Sequence, residues 1–389
     1  MNNNKYLFTR LALHFIGLIP SILFIFFPFR NKKSVIFNSQ FNTTFEHNSK
    51  ALFLHMIEDK NNDFEIYYVM NDDSFRRELN EKYGDYFIST SSILGVLKVL
   101  FAHTWITSSL ETPVGGIGLS IKRNVIHLGH GSPIKKVGLG VNSNSSLRRL
   151  YYRLLKGNFS YFFSASKEFD EAWADCLGFN LNRVIRAPQA RNDKIVESQT
   201  TPFSKGYYSI LYAPTWRPGS DIEIFPFDDF EVDLLTSFLN ENDIHIYLRV
   251  HPNFVQSLPP SLIHHRNIFI LSNDVVEDIN DVLGSFDLLI TDYSSIYFDY
   301  LLTLKPIIFL PYDQDKYEEA VGFTIPYEKL TPGPKPSTLL DFIYEIKLFY
   351  NNNDEYLQQR KAVDNVVNPI KSDHAHRCAS IAIELIKNH

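Results

Sequence analysis

Asp287–Ser295 reads DLLITDYSS, an apolar run that closes in hydroxyls and a carboxylate. A short, uninterrupted apolar run of this kind suits a strand buried on both faces, and the Ser pair after it suits the cap of a following helix. Buried strands that feed helices build parallel sheets, and such sheets bind ligands outside the carboxyl ends of their strands. By that rule the ends of the other strands are candidate ligand-binding positions.

Outward from this stretch the same alternation recurs. Ser209–Trp216, His245–Pro252, Asn267–Leu271 and Pro306–Pro311 read as strands with helices between them, and a mostly helical tail runs from Ser337 to Asn388. Before them, Ser34–Ser39, Phe64–Met70, Thr104–Ser109, Asn124–Gly131 and Tyr161–Ser166 form an earlier series, with helices expected at Glu46–Glu58, Ser74–Lys82 and Ser91–Phe101. The pattern predicts an α/β protein of two doubly wound, Rossmann-like domains facing a cleft. Residues 34–200 form the first domain and residues 201–389 the second with its helical tail; the polar stretch Glu197–Gly206 reads as the linker.

Composition agrees and narrows the function. A chain of 389 residues has room for two domains, and 44% hydrophobic against 21% charged residues excludes a disordered chain. The net charge of −6 argues against a general nucleic-acid binder, and two cysteines cannot supply a disulfide framework or a four-thiolate zinc site. Residues 1–33 form a membrane-associated segment: Leu11–Phe29 carries no formal charge and is followed by Arg30, Lys32 and Lys33. Pro20, His14 and Pro28 weaken a span, so in-plane or monotopic attachment at the cytoplasmic face of the cell membrane is expected, with a spanning helix and a buried core helix as the alternatives.

Five polar clusters and one Pro-Gly-Pro segment fall at strand ends or turns. In His127–Lys136, a strand enters a turn bounded by Gly129 and Gly131, where backbone amides can approach an anion. His130 in that turn is the best general-base candidate, with Gly131, Ser132 and Lys135 forming the anion loop; a structural histidine is the competing reading. His127, inside the strand, is expected to be structural. Arg249 and His251 end another strand on one side of it, which suits a clamp on a phosphate under transfer or a strand-terminal ion pair. Thr291, Asp292, Ser294 and Ser295, with Asp299 beyond, suit an anion site at a helix start, and simple capping explains only Ser294. Arg217 suits phosphate binding, and Thr215 offers a hydroxyl beside it. Gln189–Asp193 suits a hinge, and Pro332–Pro334 a rigid turn. Helix Leu147–Leu155 carries Arg148, Arg149 and Arg153, either a solvated face or a membrane contact. The sequence has no P-loop, no HExxH, no zinc-ligand spacing and no nucleophile elbow, so no metal or cofactor is expected.

In order, these segments resemble the CDP-glycerol glycerophosphotransferase family, which includes teichoic-acid primases, polymerases and related capsule enzymes. The resemblance rests on His130-Gly-Ser-Pro-Ile-Lys-Lys136, Ala190-Arg-Asn-Asp193, Tyr212–Arg217, Arg249-Val-His-Pro252, Thr291–Ser295 with Phe298-Asp299, and Gly333-Pro334. Gly129 stands where the family usually has Trp, Ser132 where it has Thr, and Ala190 where it has Pro. The resemblance implies a glycosyltransferase-B-like fold with the active site between acceptor-side and donor-side domains. It implies transfer of polyol phosphate from CDP-glycerol to a hydroxyl of a lipid-linked or surface-polymer acceptor, with release of CMP. His130 then corresponds to the base, and His251 and Arg249 to stabilisers of the donor pyrophosphate. Thr291, Ser294 and Ser295 hold phosphate or polyol, and Asp299 contacts the polyol or orients the serines. CDP-ribitol as donor and a nucleotide-sugar transferase of the same architecture are the alternatives. A membrane-anchored polymer-binding protein ranks last, since it leaves the histidines and the hydroxyl cluster without a role.

Overall fold

A computed structural model describes residues 11–12, 14–19, 21–22, 26, 30–60, 62–142, 145–215, 217, 222–250 and 260–388. The chain divides into two compact units, residues 1–191 with 372–389, and residues 192–371.

The first unit is built on a parallel sheet of seven strands. These are β1 (Asn31–Asn38), β2 (Glu65–Val69), β3 (Phe87–Ile88), β4 (Ala102–Thr107), β5 (Asn124–His127), β6 (Tyr161–Ser164) and β7 (Val184–Arg186). Their spatial order is β3-β2-β1-β4-β5-β6-β7, so the chain starts at the centre, winds one way, and returns to wind the other. The reversal lies between β1 and β4, which pair directly. Both central strands bury their apolar residues completely, as a sheet covered on two faces requires. An aromatic cluster of Phe45, Phe53, Tyr68 and Phe87 packs largely edge-to-face on one side of the sheet, with centroids 5.0–5.9 Å apart. Arg123, buried over the Trp105 ring, is satisfied by the carbonyls of Ala102, Leu119 and Leu100.

The second unit carries β8 (Tyr208–Ala213), β9 (Ile244–Leu248), β10 (Ile268–Ile270), β11 (Leu288–Thr291) and β12 (Ile307–Phe309). All pair in parallel in the order β10-β9-β8-β11-β12, and the reversal falls between β8 and β11. Two doubly wound parallel sheets are the architecture expected from the alternation.

Three details differ from the sequence reading. Strands β3 and β7, of two and three residues, are edge strands too short to show a period. The stretch 197–206 is part of the second unit rather than a free linker: Phe203 stacks on Phe286 at 4.4 Å, and its amide bonds the Ser285 carbonyl. The last helix, His374–Asn388, returns to the first unit, where Cys378, Ala379, Ala382 and Ile386 join the core beside helix His47–Glu58.

Candidate functional site

In the first unit the chain leaves β5 through a turn that only glycine adopts cheaply. Gly129 has φ +74° and Gly131 φ +100°, and a Cβ on Gly129 would lie 3.0 Å from the Phe163 carbonyl oxygen. This accounts locally for glycine at 129. His127, last in β5, stacks on Phe162 at 3.9 Å and accepts the Gly129 N–H through Nδ1 at 3.0 Å. Burial, and then the neighbouring His130, keep its pKa well below the usual histidine value. A neutral, hydrogen-bonded ring in the core is structural, as its position inside the strand suggested.

His130 is exposed to solvent by surface area, although protein atoms crowd around its ring. That crowding, then the positive charges of Arg191 and Lys135, lower its pKa to about 4, against a hydrogen bond with the Ser108 backbone that acts in the opposite direction. The ring of His47 stands edge-on to it, 4.5 Å between centroids, and Glu46 Oε1 lies 3.6 Å from His47 Nε2. His47 holds φ +60°, a strained value for a non-glycine residue. Beside it, the buried Asn48 carboxamide donates to the Leu128 and Gly129 carbonyls at 3.4 and 3.3 Å, while its oxygen accepts the Arg191 N–H at 3.3 Å. One helix start therefore fixes both the His130 turn and the Gln189–Arg191 segment. The Ser132 hydroxyl, in a residue 2% exposed, has no hydrogen-bond partner among the described residues. Lys135 is half-buried, and Lys136 reaches Asn142.

The second unit builds its polar cluster across its own reversal point. The Thr291 hydroxyl, fully buried, donates to the Ala213 carbonyl at 2.7 Å and so ties the end of β11 to that of β8. Arg217 is 3% exposed and its guanidinium is spent inside the protein. It donates to Asp292 Oδ2 at 2.5 Å and bidentately to Asp313 at 3.0 and 2.8 Å, with a further bond to the Thr215 carbonyl. Tyr293, Tyr312 and Tyr317 surround it with ring centroids 4.7–5.6 Å away. Asp292 in turn accepts the Thr215 and Tyr293 amides at 2.8 and 2.6 Å. Burial acts to raise the Asp313 pKa, but the hydrogen bond and charge of Arg217, with the Tyr293 hydroxyl, hold it below the ordinary carboxylate value. In this arrangement Arg217 positions the loop after β8, and the Thr215 hydroxyl, buried without a partner among the described residues, is left for other contacts.

Ser294 and Ser295 are half-buried at the start of the helix Ile296–Tyr300; Ser294 Oγ accepts the Ile296 N–H at 3.5 Å. Asp299 lies on the buried side of that helix. Arg249 donates to the Leu271 and Val276 carbonyls at 3.0 and 2.8 Å, clamping the segment after β10. His251, like Trp216 of the adjacent motif, lies outside the described residues. Gly333 is required by packing, since a Cβ there would meet the Ile307 carbonyl at 2.1 Å. Among the described residues, no group of His, Cys, Asp and Glu could hold a metal ion.

Sequence reasoning missed His47, Glu46 and Asp313. Asp313 follows β12, so the strand-end rule applied to Pro306–Pro311 finds it; His47 follows β1 and is found by the same rule, but its approach to His130 is tertiary.

Comparison with known proteins bears on this geometry. The family profile for CDP-glycerol:poly(glycerophosphate) glycerophosphotransferases matches residues 21–379. A teichoic acid glycerol-phosphate transferase of Staphylococcus aureus is 25% identical over 85% of this chain and 87% of its own length. A teichoic acid poly(glycerol phosphate) polymerase of Bacillus subtilis is 25% identical over 81% of this chain but 44% of its own. Among solved structures, the wall teichoic acid polymerase TagF superposes with a TM-score of 0.72 at 19% identity, covering 98% of both chains. A UDP complex of Staphylococcus aureus MnaA superposes at 0.55, with 13% identity over 92% of this chain and 96% of that one.

Proposed function

The chain belongs to the CDP-glycerol:poly(glycerophosphate) glycerophosphotransferase family, and from that premise we propose that it transfers glycerol phosphate from CDP-glycerol to a hydroxyl of a polymer acceptor in teichoic-acid-type synthesis, releasing CMP. The acceptor oxygen bonds to the phosphorus that carries glycerol. The bond from that phosphorus to the bridging oxygen breaks, and CMP departs with the electron pair. Phosphoryl transfer of this kind needs positioning and charge stabilisation more than covalent help.

His130 takes the acceptor proton. Its lowered pKa keeps the imidazole neutral at pH 7 and so able to accept. The negative donor, once near, raises the proton affinity of that ring. Ser294 and Ser295 hold phosphate or polyol, with Thr215 adding a hydroxyl from the loop after β8. Thr291 and Arg217 act behind them, tying the carboxyl ends of β8, β11 and β12 into one frame, and Asp299, buried on the helix that the serines start, orients the serines. Arg249 fixes the segment after β10, and His251 stabilises the donor pyrophosphate, as the Arg-Val-His-Pro motif implies. What supports this reading is that the His130 turn and the serine pair lie at carboxyl ends of parallel strands, where sheets of this type bind ligands.

The acceptor is carried at a membrane surface, on which the first unit docks in-plane at the cytoplasmic face. Phe15, Ile16, Ile19, Ile22 and Phe26 near the N-terminus are exposed, while the Ser21 hydroxyl bonds the Gly115 carbonyl and His14 pairs with Gly116. Helix Ser146–Leu155 adds exposed Leu147, Leu150 and Leu154 to Arg148, Arg149 and Arg153. No helix among the described residues is long and apolar enough to cross a membrane.

The test is CMP release by purified protein offered CDP-glycerol, CDP-ribitol and several nucleotide sugars, with membrane extract as acceptor. Acceptor-dependent release from CDP-glycerol alone is expected. Release only from CDP-ribitol or from a nucleotide sugar overturns the assignment of the donor.

A further inference from the structure

The reversal point of the first sheet holds a cavity of about 300 Å³ that the chemistry above does not use. Its walls come from the segments after β1, β2, β3 and β4, represented by Phe41, Asn71, Thr90 and Val114, from Val96 of the helix Ile93–Phe101, and from Ile16 near the N-terminus. A cavity at the carboxyl edge of a doubly wound sheet, between the strands where winding reverses, is where such folds bind ligands. Its volume is at the lower end of small-molecule sites, which span about 300–1,000 Å³.

The chemistry of the walls selects the occupant. Polar groups at the rim are bonded to the protein itself: the Asn71 carboxamide to Thr90, the Asn42 amide to the Pro113 carbonyl, and the Thr112 hydroxyl to the Val114 carbonyl. Most of the side chains that remain to line the space, Ile16, Phe41, Val96, Pro113 and Val114, are apolar; His14, bonded to the Gly116 carbonyl, and the buried Glu111 are the ionisable residues of the lining. Ile16 belongs both to this wall and to the exposed apolar face formed with Phe15 and Ile19, so the cavity adjoins the surface that docks on lipid. Backbone strain is concentrated here too, with Phe41 at φ 51° and Asn42 at φ 59°.

The same segment also leads towards the base. Ser108, whose backbone bonds His130, begins the stretch that continues to Glu111 and Val114, and the Thr107 hydroxyl holds the Glu111 carbonyl at 3.2 Å. An amphiphile with its tail in the cavity therefore has its head beside a segment that contacts His130. We propose that this cavity receives the hydrocarbon chain of the lipid-linked acceptor nearest its head group. The inference rests on the acceptor reading above and names the chemical class of one end of that acceptor.

The test measures binding without any donor. Alkyl β-glucosides from butyl to nonyl, each below its micelle concentration, are titrated onto the full chain by calorimetry. Affinity is expected to tighten about fourfold per added methylene until the cavity is full, then to level off. Val96→Trp, whose indole would fill the space, should flatten this dependence. Val114→Trp, on a different segment, should do the same if the first variant folds poorly, as judged by circular dichroism. Ile19→Ser, on the outward face, should retain the dependence. An unchanged dependence in a folded tryptophan variant, or its loss in Ile19→Ser, overturns the proposal by assigning the chain to the outer face. Because no donor is present, the two readings fail separately: no CMP release with the dependence kept overturns the transfer reading and with it the acceptor as occupant, leaving only an alkyl-chain site, whereas CMP release without the dependence overturns the cavity assignment alone.

Discussion

Removing the guanidinium of Arg217 should unfold the second unit early and silence transfer together. Arg217→Ala leaves two carboxylates behind, Asp292 with a side chain 3% exposed and Asp313 with one 19% exposed. Asp292 keeps the Thr215 and Tyr293 amides, and Asp313 keeps the Tyr293 hydroxyl, but neither retains a countercharge from this pair. Breaking a buried ion pair from one side costs about 3–5 kcal/mol. For a unit of roughly this size each kcal/mol lowers the midpoint by about 2–4 °C, so a drop of about 6–20 °C is expected in the transition of the second unit. Arg217→Met combined with Asp292→Asn and Asp313→Asn should recover part of that loss, since no unpaired charge remains buried. Differential scanning calorimetry reads the midpoint, and CMP release reads the loop that Arg217 holds. A change under about 1 °C in Arg217→Ala, less than about 1 kcal/mol on the same scale, would refute the argument that this arginine neutralises two buried carboxylates.

Other expectations can be checked with the same preparations. His130→Ala should lower the rate of transfer by at least about a hundredfold while the circular dichroism spectrum is unchanged; near-normal transfer removes its role as base. Because a lowered pKa keeps His130 neutral down to about pH 4, the acid limb of kcat/KM should fall near that value. The same shift makes stability diminish as pH falls from about 6.5 towards 4, since the unfolded chain then binds the proton more readily; an acid limb at about pH 6.5 contradicts the environment assigned to the ring. Gly129→Trp, which brings the usual family residue to this position, should destabilise the first unit by about 1–2 kcal/mol through the left-handed backbone alone, measured by urea unfolding; a neutral effect refutes the strain argument. Deletion of residues 1–30 should move the protein from the membrane pellet to the supernatant, and unchanged partitioning counts against docking through this segment.

Much of the scaffold was legible from one dimension. Apolar runs such as Leu288–Thr291 and Ala102–Thr107 announce strands buried on both faces because each residue carries its own hydrophobic driving force. The distinction between His127 and His130 was readable as well, since one lies within an apolar run and the other between glycines in a turn. The tail was less legible: the amphipathic helix His374–Asn388 looks the same whichever sheet receives its apolar stripe, and only packing against helix His47–Glu58 assigns it to the first unit. Asp313 is unmarked in sequence because it stands just past Pro306–Pro311, outside any Ser/Thr cluster, and its contact with Arg217 exists only in the folded chain.

The amino-acid sequence by itself determined two parallel sheets, the strand ends that carry polar clusters, and a family whose motifs occur in order. Those features follow from local hydrophobic periodicity, turn chemistry and residue identity, which act between near neighbours. Tertiary structure alone decided how the charges are spent. Arg217 reads in sequence as a free phosphate ligand, yet it meets Asp292 and Asp313 from 75 and 96 positions away. His130 reads as an ordinary imidazole, yet Arg191, Lys135 and the surrounding protein lower its proton affinity. Ion pairing and desolvation depend on distance through space, and the fold sets that distance.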